Sequence, residues 1–182
     1  SSIQWAVGID KVPVEVAATG EKVIGMAARH SDRIMFALGA DSERLRWGID
    51  IALEAASKVG KDPDSLKFGA YINIVCHHNL AVARDLGRAG TSLFALFSVM
   101  HGSVSGPASE KQQEVFRTIH DSYDMNMHVR EGSQQSKVMT DEFMDEYAVI
   151  GGVEYCIERL QEIEKLGISK VLVAGPSFTA KS

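Results

Sequence analysis

The chain has 182 residues, of which 45% are hydrophobic and 24% are charged, and it contains 16 glycines and 4 prolines. This composition is typical of a globular protein and argues against both disorder and collagen-like repeats. A chain of this length can bury about 70% of the surface that it exposes when unfolded. We therefore expect one domain that spans residues 1–182 and contains one sizeable core.

Charge and cysteine content narrow the expected partners. The net charge is −5, and the 19 Lys and Arg residues are scattered along the sequence, so we expect no nucleic-acid partner. Cys76 and Cys156 are isolated thiols without a C-x-x-C pair, which favours the reducing cytoplasm over a disulfide framework or a Cys-rich zinc site. No apolar run approaches the roughly 18 residues of a membrane span, so we expect no membrane partner.

Strand and helix patterns alternate along most of the chain. Strands are predicted at residues 3–7, 12–18, 32–38, 66–75 and 170–175. Helices are predicted at residues 21–30 and 41–59, from residue 79 onward, and at 153–166. Thr19, Asp41 or Ser42, and Asn79 are in position to cap the first three helices. Because residues 3–7 already have a strand pattern and no initiator Met precedes them, we expect a fragment or a processed product.

Residues 90–143 have no strand pattern. We expect a mainly helical insertion there, interrupted by an extended loop at residues 102–107. Long excursions of this kind are usually functional.

Strands that alternate with helices indicate parallel β/α units and an α/β fold. Four such units amount to about half of a (β/α)8 TIM barrel, since a complete barrel takes about 250 residues. An open half-barrel would expose apolar residues along one sheet face, including alternating residues of 12–16, 34–38, 68–74 and 171–173. We therefore expect a homo-oligomer, in which a second copy covers that face.

Five short segments carry a resemblance to a known family. They are residues 12–20 (VPVEVAATG), 28–35 (ARHSDRIM), 60–64 (GKDPD), 148–151 (AVIG) and 154–160 (EYCIERL). In this order and spacing the chain resembles the luciferase-like flavin- and deazaflavin-dependent oxidoreductases, in the branch close to methylenetetrahydromethanopterin reductase.

The resemblance implies a TIM barrel that holds FMN or coenzyme F-420 at its C-terminal mouth and passes a hydride between the cofactor and a small organic substrate. It places this chain in the C-terminal half of the barrel, corresponding to strands five to eight. The family's first half supplies strands one to four and much of the substrate pocket. A separate polypeptide that supplies that half is therefore the alternative to a homo-oligomer.

A strand that runs through Ala18, Thr19 and Gly20 directly into a helix can bind an anion, because the first helical amides have no partner within the helix. From the residues alone, an ordinary turn with a Thr19 cap is the favoured interpretation. The resemblance implies that this turn binds the cofactor's phosphate, with Glu21 and Lys22 contributing through their backbone.

Gly39 follows the next strand and would also lie at the barrel mouth, where such loops usually line the site. We include it among the candidate cofactor-binding residues. The alternative is that this turn serves only to start the helix capped by Asp41 or Ser42.

Three groups of histidines are candidates for a catalytic or metal-binding role. His101 lies in a small and apolar stretch and could donate to a substrate carbonyl or a cofactor oxygen, or simply pack. His120 and Asp124 are four residues apart and could form a dyad or an exposed helical pair. Cys76, His77 and His78 are consecutive at a strand end, where neighbours point to opposite sides, so we expect no metal site.

Three functions remain open at this point. The first is an oxidoreductase or monooxygenase segment in which the cofactor supplies the redox chemistry. The second is a non-catalytic half-barrel that self-associates. The third is a metal-dependent hydrolase built from the histidines.

Overall fold

The computed structural model describes residues 11–176, so the strand predicted at residues 3–7 lies outside the described part of the chain. The strands are β1 (Glu15–Ala18), β2 (Arg33–Phe36), β3 (Lys67–Cys76), β4 (Val149–Gly151) and β5 (Ile168–Ala174). The helices are α1 (Glu21–His30), α2 (Ser42–Ser57), α3 (Leu80–Val99), α4 (Glu110–Ser122), α5 (Gln134–Lys137), α6 (Asp141–Tyr147) and α7 (Val153–Lys165). Short 3-10 turns lie at Pro63–Ser65 and Met125–Met127.

Every strand pairing within residues 11–176 is parallel. Strand β3 is the centre of the sheet, because Phe68 pairs with Ile34 of β2 and also with Ile168 of β5. Strands β2 and β5 therefore flank β3 on opposite edges, and β1 pairs with β2. The C-terminal residues of β3 pair with β4, so β4 and β5 both contact β3 although β5 follows β4 in the chain.

Strand β4 was missed by the sequence patterns. It has three residues, Val149, Ile150 and Gly151, and all of them are buried. A segment this short, with no alternation of apolar and polar residues, gives no strand signal.

One face of the sheet is covered by α1, α2 and α7. Apolar side chains from these helices form a core with Ile34, Phe36, Leu38, Phe68 and Ile72. The expectation that alternating residues of 34–38 and 68–74 form an exposed face was therefore wrong for these five, because the helices that follow the strands cover them. On β5, by contrast, Leu172 and Val173 are exposed.

Helices α4, α5 and α6 lie between α3 and β4, and α4 and α6 contribute to a second core. Val75 and Ile150 from the sheet pack with Phe116 and Phe143 of α4 and α6. Residues 100–109 connect α3 to α4 without helix or strand. None of the helices within residues 11–176 has the length and apolarity needed to cross a membrane.

Candidate functional site

A cavity with a volume of about 930 Å³ lies on the sheet face opposite α1 and α2. Its floor includes Ala17, Ala37 and Tyr71, whose positions alternate with the residues buried under the helices. The start of α1, the end of α3 and the segment that follows α3 form its walls. The wall residues are Ala18, Thr19, Gly20, Glu21, Lys22, Val23, Trp47, Phe94, Phe97, Met100, His101, Ser103, Val104, Ser105 and Gly106. This volume lies within the range of small-molecule sites, about 300–1,000 Å³.

The polar end of the cavity is the first turn of α1. Its N-cap is Gly20, which supplies no side-chain hydrogen bond, so the first amides of α1 remain without a capping partner. The predicted Thr19 cap was wrong: the Thr19 hydroxyl lies 3.5 Å from the carbonyl oxygen of Ala37 and donates to it. Asp41 and Asn79, by contrast, cap α2 and α3 as predicted. The start of α1 therefore offers unpaired N–H groups and a positive dipole end to the cavity.

Ser105 faces this turn from the opposite wall. A Cβ added to Gly20 would lie 3.6 Å from the Ser105 hydroxyl oxygen, which is ordinary contact distance. The turn itself is held by the sheet, since the Ala37 amide donates to the carbonyl of Ala18 at 3.0 Å. An anion at the start of α1 would thus meet backbone amides on one side and a hydroxyl on the other.

The rest of the cavity is lined by aromatic side chains. The rings of Tyr71 and Phe94 are stacked at 5.9 Å, and Phe97 meets Phe94 edge to face at the same distance. Trp47 of α2 contributes a further wall. Aromatic faces of this kind favour a planar, apolar group.

Trp47 also explains why residue 106 is glycine. Gly106 has φ +86°, and a Cβ there would stand 2.9 Å from Cε3 of the Trp47 ring. Both the backbone conformation and the close approach exclude a side chain. The segment after α3 can therefore lie flat against Trp47 and close this side of the cavity.

The structure brings most of the predicted site residues together. Ala18, Thr19, Gly20, Glu21 and Lys22 all line the cavity, and they share it with the exposed His101 from the far end of α3. The sequence linked His101 to no particular partner, and the structure places it in the wall of the same cavity as the start of α1.

Gly39 is placed elsewhere. It is buried against Tyr147 and is absent from the cavity wall, with φ +80°. A glycine is required at residue 39 because of the positive φ and the close packing of Tyr147, and no ligand contact is needed to explain it.

The other histidine candidates, His77, His78 and His120, are not among the residues that line this cavity. His120 lies 3.1 Å from Asp121, while Asp124 accepts a hydrogen bond from the amide of Asn126, so the predicted pairing of His120 with Asp124 was wrong. Helix α4 ends at Ser122, which removes the helical spacing between the two. Within residues 11–176 no group of three or more His, Cys, Asp or Glu side chains could hold a metal ion.

The lining residues that the sequence analysis did not identify include Trp47, Tyr71, Phe94 and Ser105. Tyr71 carried a usable signal, because it sits between Ala70 and Ile72 and must point to the other sheet face. Trp47, Phe94 and Ser105 lie far apart in sequence and come together only through the fold.

Comparison with known proteins gives the family. The model of the Luciferase-like monooxygenase family matches residues 2–170. The 5,10-methylenetetrahydromethanopterin reductase of Archaeoglobus fulgidus is 22% identical over 169 residues, which are 91% of this chain and 48% of that protein. The chain thus spans about half the length of this relative.

Two solved structures share the fold. An F-420-dependent secondary alcohol dehydrogenase, in complex with an F-420–acetone adduct, has a TM-score of 0.65 at 16% identity, over 92% of this chain and 44% of that one. The oxygenating constituent of 3,6-diketocamphane monooxygenase from Pseudomonas putida, in complex with FMN, has a TM-score of 0.52 at 13% identity, over 94% and 44%. These likenesses confirm the predicted α/β fold with a parallel sheet. With the family model matching nearly its whole length, this chain belongs to the luciferase-like monooxygenase family.

Proposed function

We propose that this chain forms the phosphate end and one aromatic wall of the cofactor site of an oxidoreductase that transfers a hydride between FMN or coenzyme F-420 and an organic substrate. The observation that carries the proposal is the uncapped start of α1, which opens into the aromatic cavity. The family match and the F-420- and FMN-binding proteins of the same fold support it.

The residues present fit such a cofactor at two places. A phosphate at Gly20 would accept hydrogen bonds from the first amides of α1 and gain from the helix dipole. The rings of Tyr71 and Phe94 offer a flat apolar surface to the ring system. When bound, the cofactor would supply the hydride chemistry.

The protein itself would orient the cofactor and the substrate and would exclude water from the cavity. Trp47 and Phe97 cover the apolar part of the cavity, and His101 is exposed in its wall. We propose that His101 donates a hydrogen bond to a substrate or cofactor oxygen. This chain covers 48% of the reductase that it matches, and we propose that further protein outside these residues, such as a second copy or another polypeptide, completes the substrate pocket.

Ligand binding tests the phosphate assignment directly. Gly20→Val should weaken FMN and F-420 binding at least about tenfold, because a branched side chain obstructs the approach of a phosphate to the backbone. Riboflavin, which lacks the phosphate, should bind the variant and the parent equally. Fluorescence titration measures both ligands.

Gly152→Val is the matched control for this experiment. Gly152 is also an N-cap glycine without a side-chain hydrogen bond, at the start of α7, and it lies outside the cavity wall. This variant should leave FMN and F-420 binding unchanged. If Gly20→Val binds FMN as well as Gly152→Val does, the phosphate site is not at α1.

A second function is favoured by one observation. Leu172 and Val173 are exposed on β5, as expected of a non-catalytic half-barrel that self-associates. Absence of flavin and F-420 binding, together with a stable oligomer, would favour this alternative.

A further inference from the structure

The chain buries a cation that the proposed function does not use. Arg44, in the first turn of α2, is 0% exposed. Burying a charge is costly unless hydrogen bonds compensate for the lost water. Compensation comes from a hydroxyl and three backbone carbonyls, so the groups that Arg44 contacts show what it holds in place.

Two of these acceptors belong to the segment after α3. The guanidinium donates from Nη1 to the Pro107 carbonyl at 2.7 Å and from Nη2 to the Ser105 carbonyl at 2.7 Å. Burial lowers the pKa of Arg44 from its usual value, but an arginine remains charged, so these bonds are charge-assisted.

The other two acceptors anchor the guanidinium to the body of the fold. Nε donates to the Leu38 carbonyl at 3.1 Å, and Nη2 donates to the Ser98 hydroxyl at 2.9 Å. The guanidinium also lies over the Phe116 ring, with Cζ 5.0 Å from its centroid. Arg44 therefore connects the end of β2 and helix α3 to the segment that closes the cavity.

The same segment is fixed at two further points. The Ser105 amide donates to the Ser98 carbonyl at 2.7 Å, and Gly106 lies against Trp47, one helical turn beyond Arg44. Residues 103–106 form the cavity wall that faces the start of α1. The position of this wall is thus set by two residues of α2: Trp47, which lines the cavity, and Arg44, which does not.

We propose that Arg44 is a positioning residue whose guanidinium holds residues 103–106 as the cavity wall opposite the start of α1. A Met or Leu would fill the same space without the cost of desolvating a charge. The hydrogen bonds of Arg44 offset the cost of desolvating its charge. They connect residues 105 and 107 to Leu38 and Ser98. The effect on ligand binding rests on the proposed function, whereas the effect on the wall does not.

Hydrogen exchange of the ligand-free protein tests the wall. In Arg44→Met the amides of residues 103–106 should exchange at least about tenfold faster, because two charge-assisted bonds to the segment are lost. Amides of β3 should exchange as in the parent. Arg159→Met is the matched control, because Arg159 also donates to a backbone carbonyl before α2, that of Ala40 at 3.1 Å, but lies outside the cavity wall.

Binding of two flavins provides the second readout. Arg44→Met should weaken FMN and riboflavin alike, by about tenfold or more, because a displaced wall misplaces the whole ligand. This differs from Gly20→Val, which should weaken FMN alone. Arg159→Met should bind both flavins as the parent does.

A softer variant covers the case in which Arg44→Met does not fold. Arg44→Lys keeps the charge but cannot span the same acceptors with a planar fork, so it should show the same changes to a smaller extent. Unchanged exchange of residues 103–106 in a folded variant overturns the proposal. Faster exchange with unchanged flavin affinity supports the role of Arg44 in holding the wall and shows that this wall does not orient the flavin. If the parent binds neither flavin nor F-420, the proposed function fails, and hydrogen exchange alone decides the role of Arg44.

Discussion

Gly39 lies directly against the ring of Tyr147, so that a Cβ at residue 39 would stand 2.8 Å from Cδ1 of that ring. The two segments are also joined through the backbone, since the Ala40 amide donates to the Tyr147 carbonyl at 2.8 Å. Burial raises the pKa of the Tyr147 hydroxyl, which therefore stays protonated and donates to the Phe94 carbonyl at 3.2 Å. Tyr147 cannot move aside without breaking these contacts.

Gly39→Ala should therefore lower the free energy of unfolding by about 2–4 kcal/mol, because the positive φ and the overpacking each add a cost. Denaturant unfolding measures the change. Gly60→Ala is the control: Gly60 has φ +70° and nothing within 4 Å of an added Cβ, so only the cost of the positive φ, about 1 kcal/mol, should appear. Equal losses in the two variants would show that Tyr147 does not restrict residue 39.

The Ser105 hydroxyl should contribute to phosphate binding if the anion lies at Gly20. Ser105→Ala should weaken FMN binding about tenfold, the value of one hydrogen bond to a charged group, and should leave riboflavin binding unchanged. Ser103→Ala is the control, because Ser103 lies in the same cavity wall. Apart from the neighbours of Gly20 in the chain, only Ser105 among residues 11–176 lies within 4 Å of a Cβ added to Gly20. Equal effects of the two substitutions on FMN would argue against a hydroxyl ligand at residue 105.

An ion pair joins two strands that are not neighbours in the sheet. Lys170 of β5 lies 2.8 Å from both carboxylate oxygens of Glu15 of β1, and Arg33 of β2 lies 3.0 Å from one of them. A flat sheet would place β1 and β5 roughly 14 Å apart, three strand spacings, so the contact shows that the sheet curls. The hydrogen bond from Lys170, followed by its charge and that of Arg33, lowers the pKa of Glu15 from its usual 4.5.

This shift predicts acid sensitivity. A carboxylate whose pKa is lowered in the folded state stabilises the fold above its unfolded pKa and loses that contribution as pH falls through the folded value. The free energy of unfolding should therefore decrease below about pH 4.5, and it should decrease less steeply in Lys170→Met. Lys165→Met is the control, because Lys165 at the end of α7 makes no ion pair within residues 11–176, and it should leave the slope unchanged. An identical slope in the parent and in Lys170→Met would show that the contact is absent in solution.

Much of the fold could be predicted because its elements are long and periodic. Strand β3 has ten residues with an apolar pattern, and α2 is opened by Asp41, whose carboxylate accepts from the amides of Glu43 and Arg44. The Thr19 cap failed because the chain turns at Gly20 and aims the hydroxyl at the neighbouring strand instead. The direction of the Thr19 hydroxyl depends on the pairing of β1 with β2, so the local sequence alone does not predict it.

The site was predictable only where one short segment forms it. Residues 18–22 carry a strand–turn–helix pattern that indicates an anion site without further context. The opposite wall depends on Arg44, Ser98 and Ser105, which are separated by up to 61 positions and meet only after packing. No sequence pattern predicts that an arginine is buried with backbone carbonyls as its hydrogen-bond acceptors.

The last prediction concerns association through β5. Val173 is 59% exposed on a strand that, within residues 11–176, pairs only with β3, and we expect this side chain and the other strand edge to contact a second copy. The protein should therefore be an oligomer at micromolar concentration, and Val173→Lys should weaken the association at least about tenfold, because the loss of one buried valine costs about 1.5–3 kcal/mol. Light scattering across a dilution series measures both the oligomeric state and the effect of the substitution.

Val59→Lys is the control. It introduces the same change at a valine of similar exposure, 54%, beyond the end of α2, and should leave the association unchanged. A compact parental monomer at micromolar concentration, or equal effects of the two lysines, would rule out β5 as the interface.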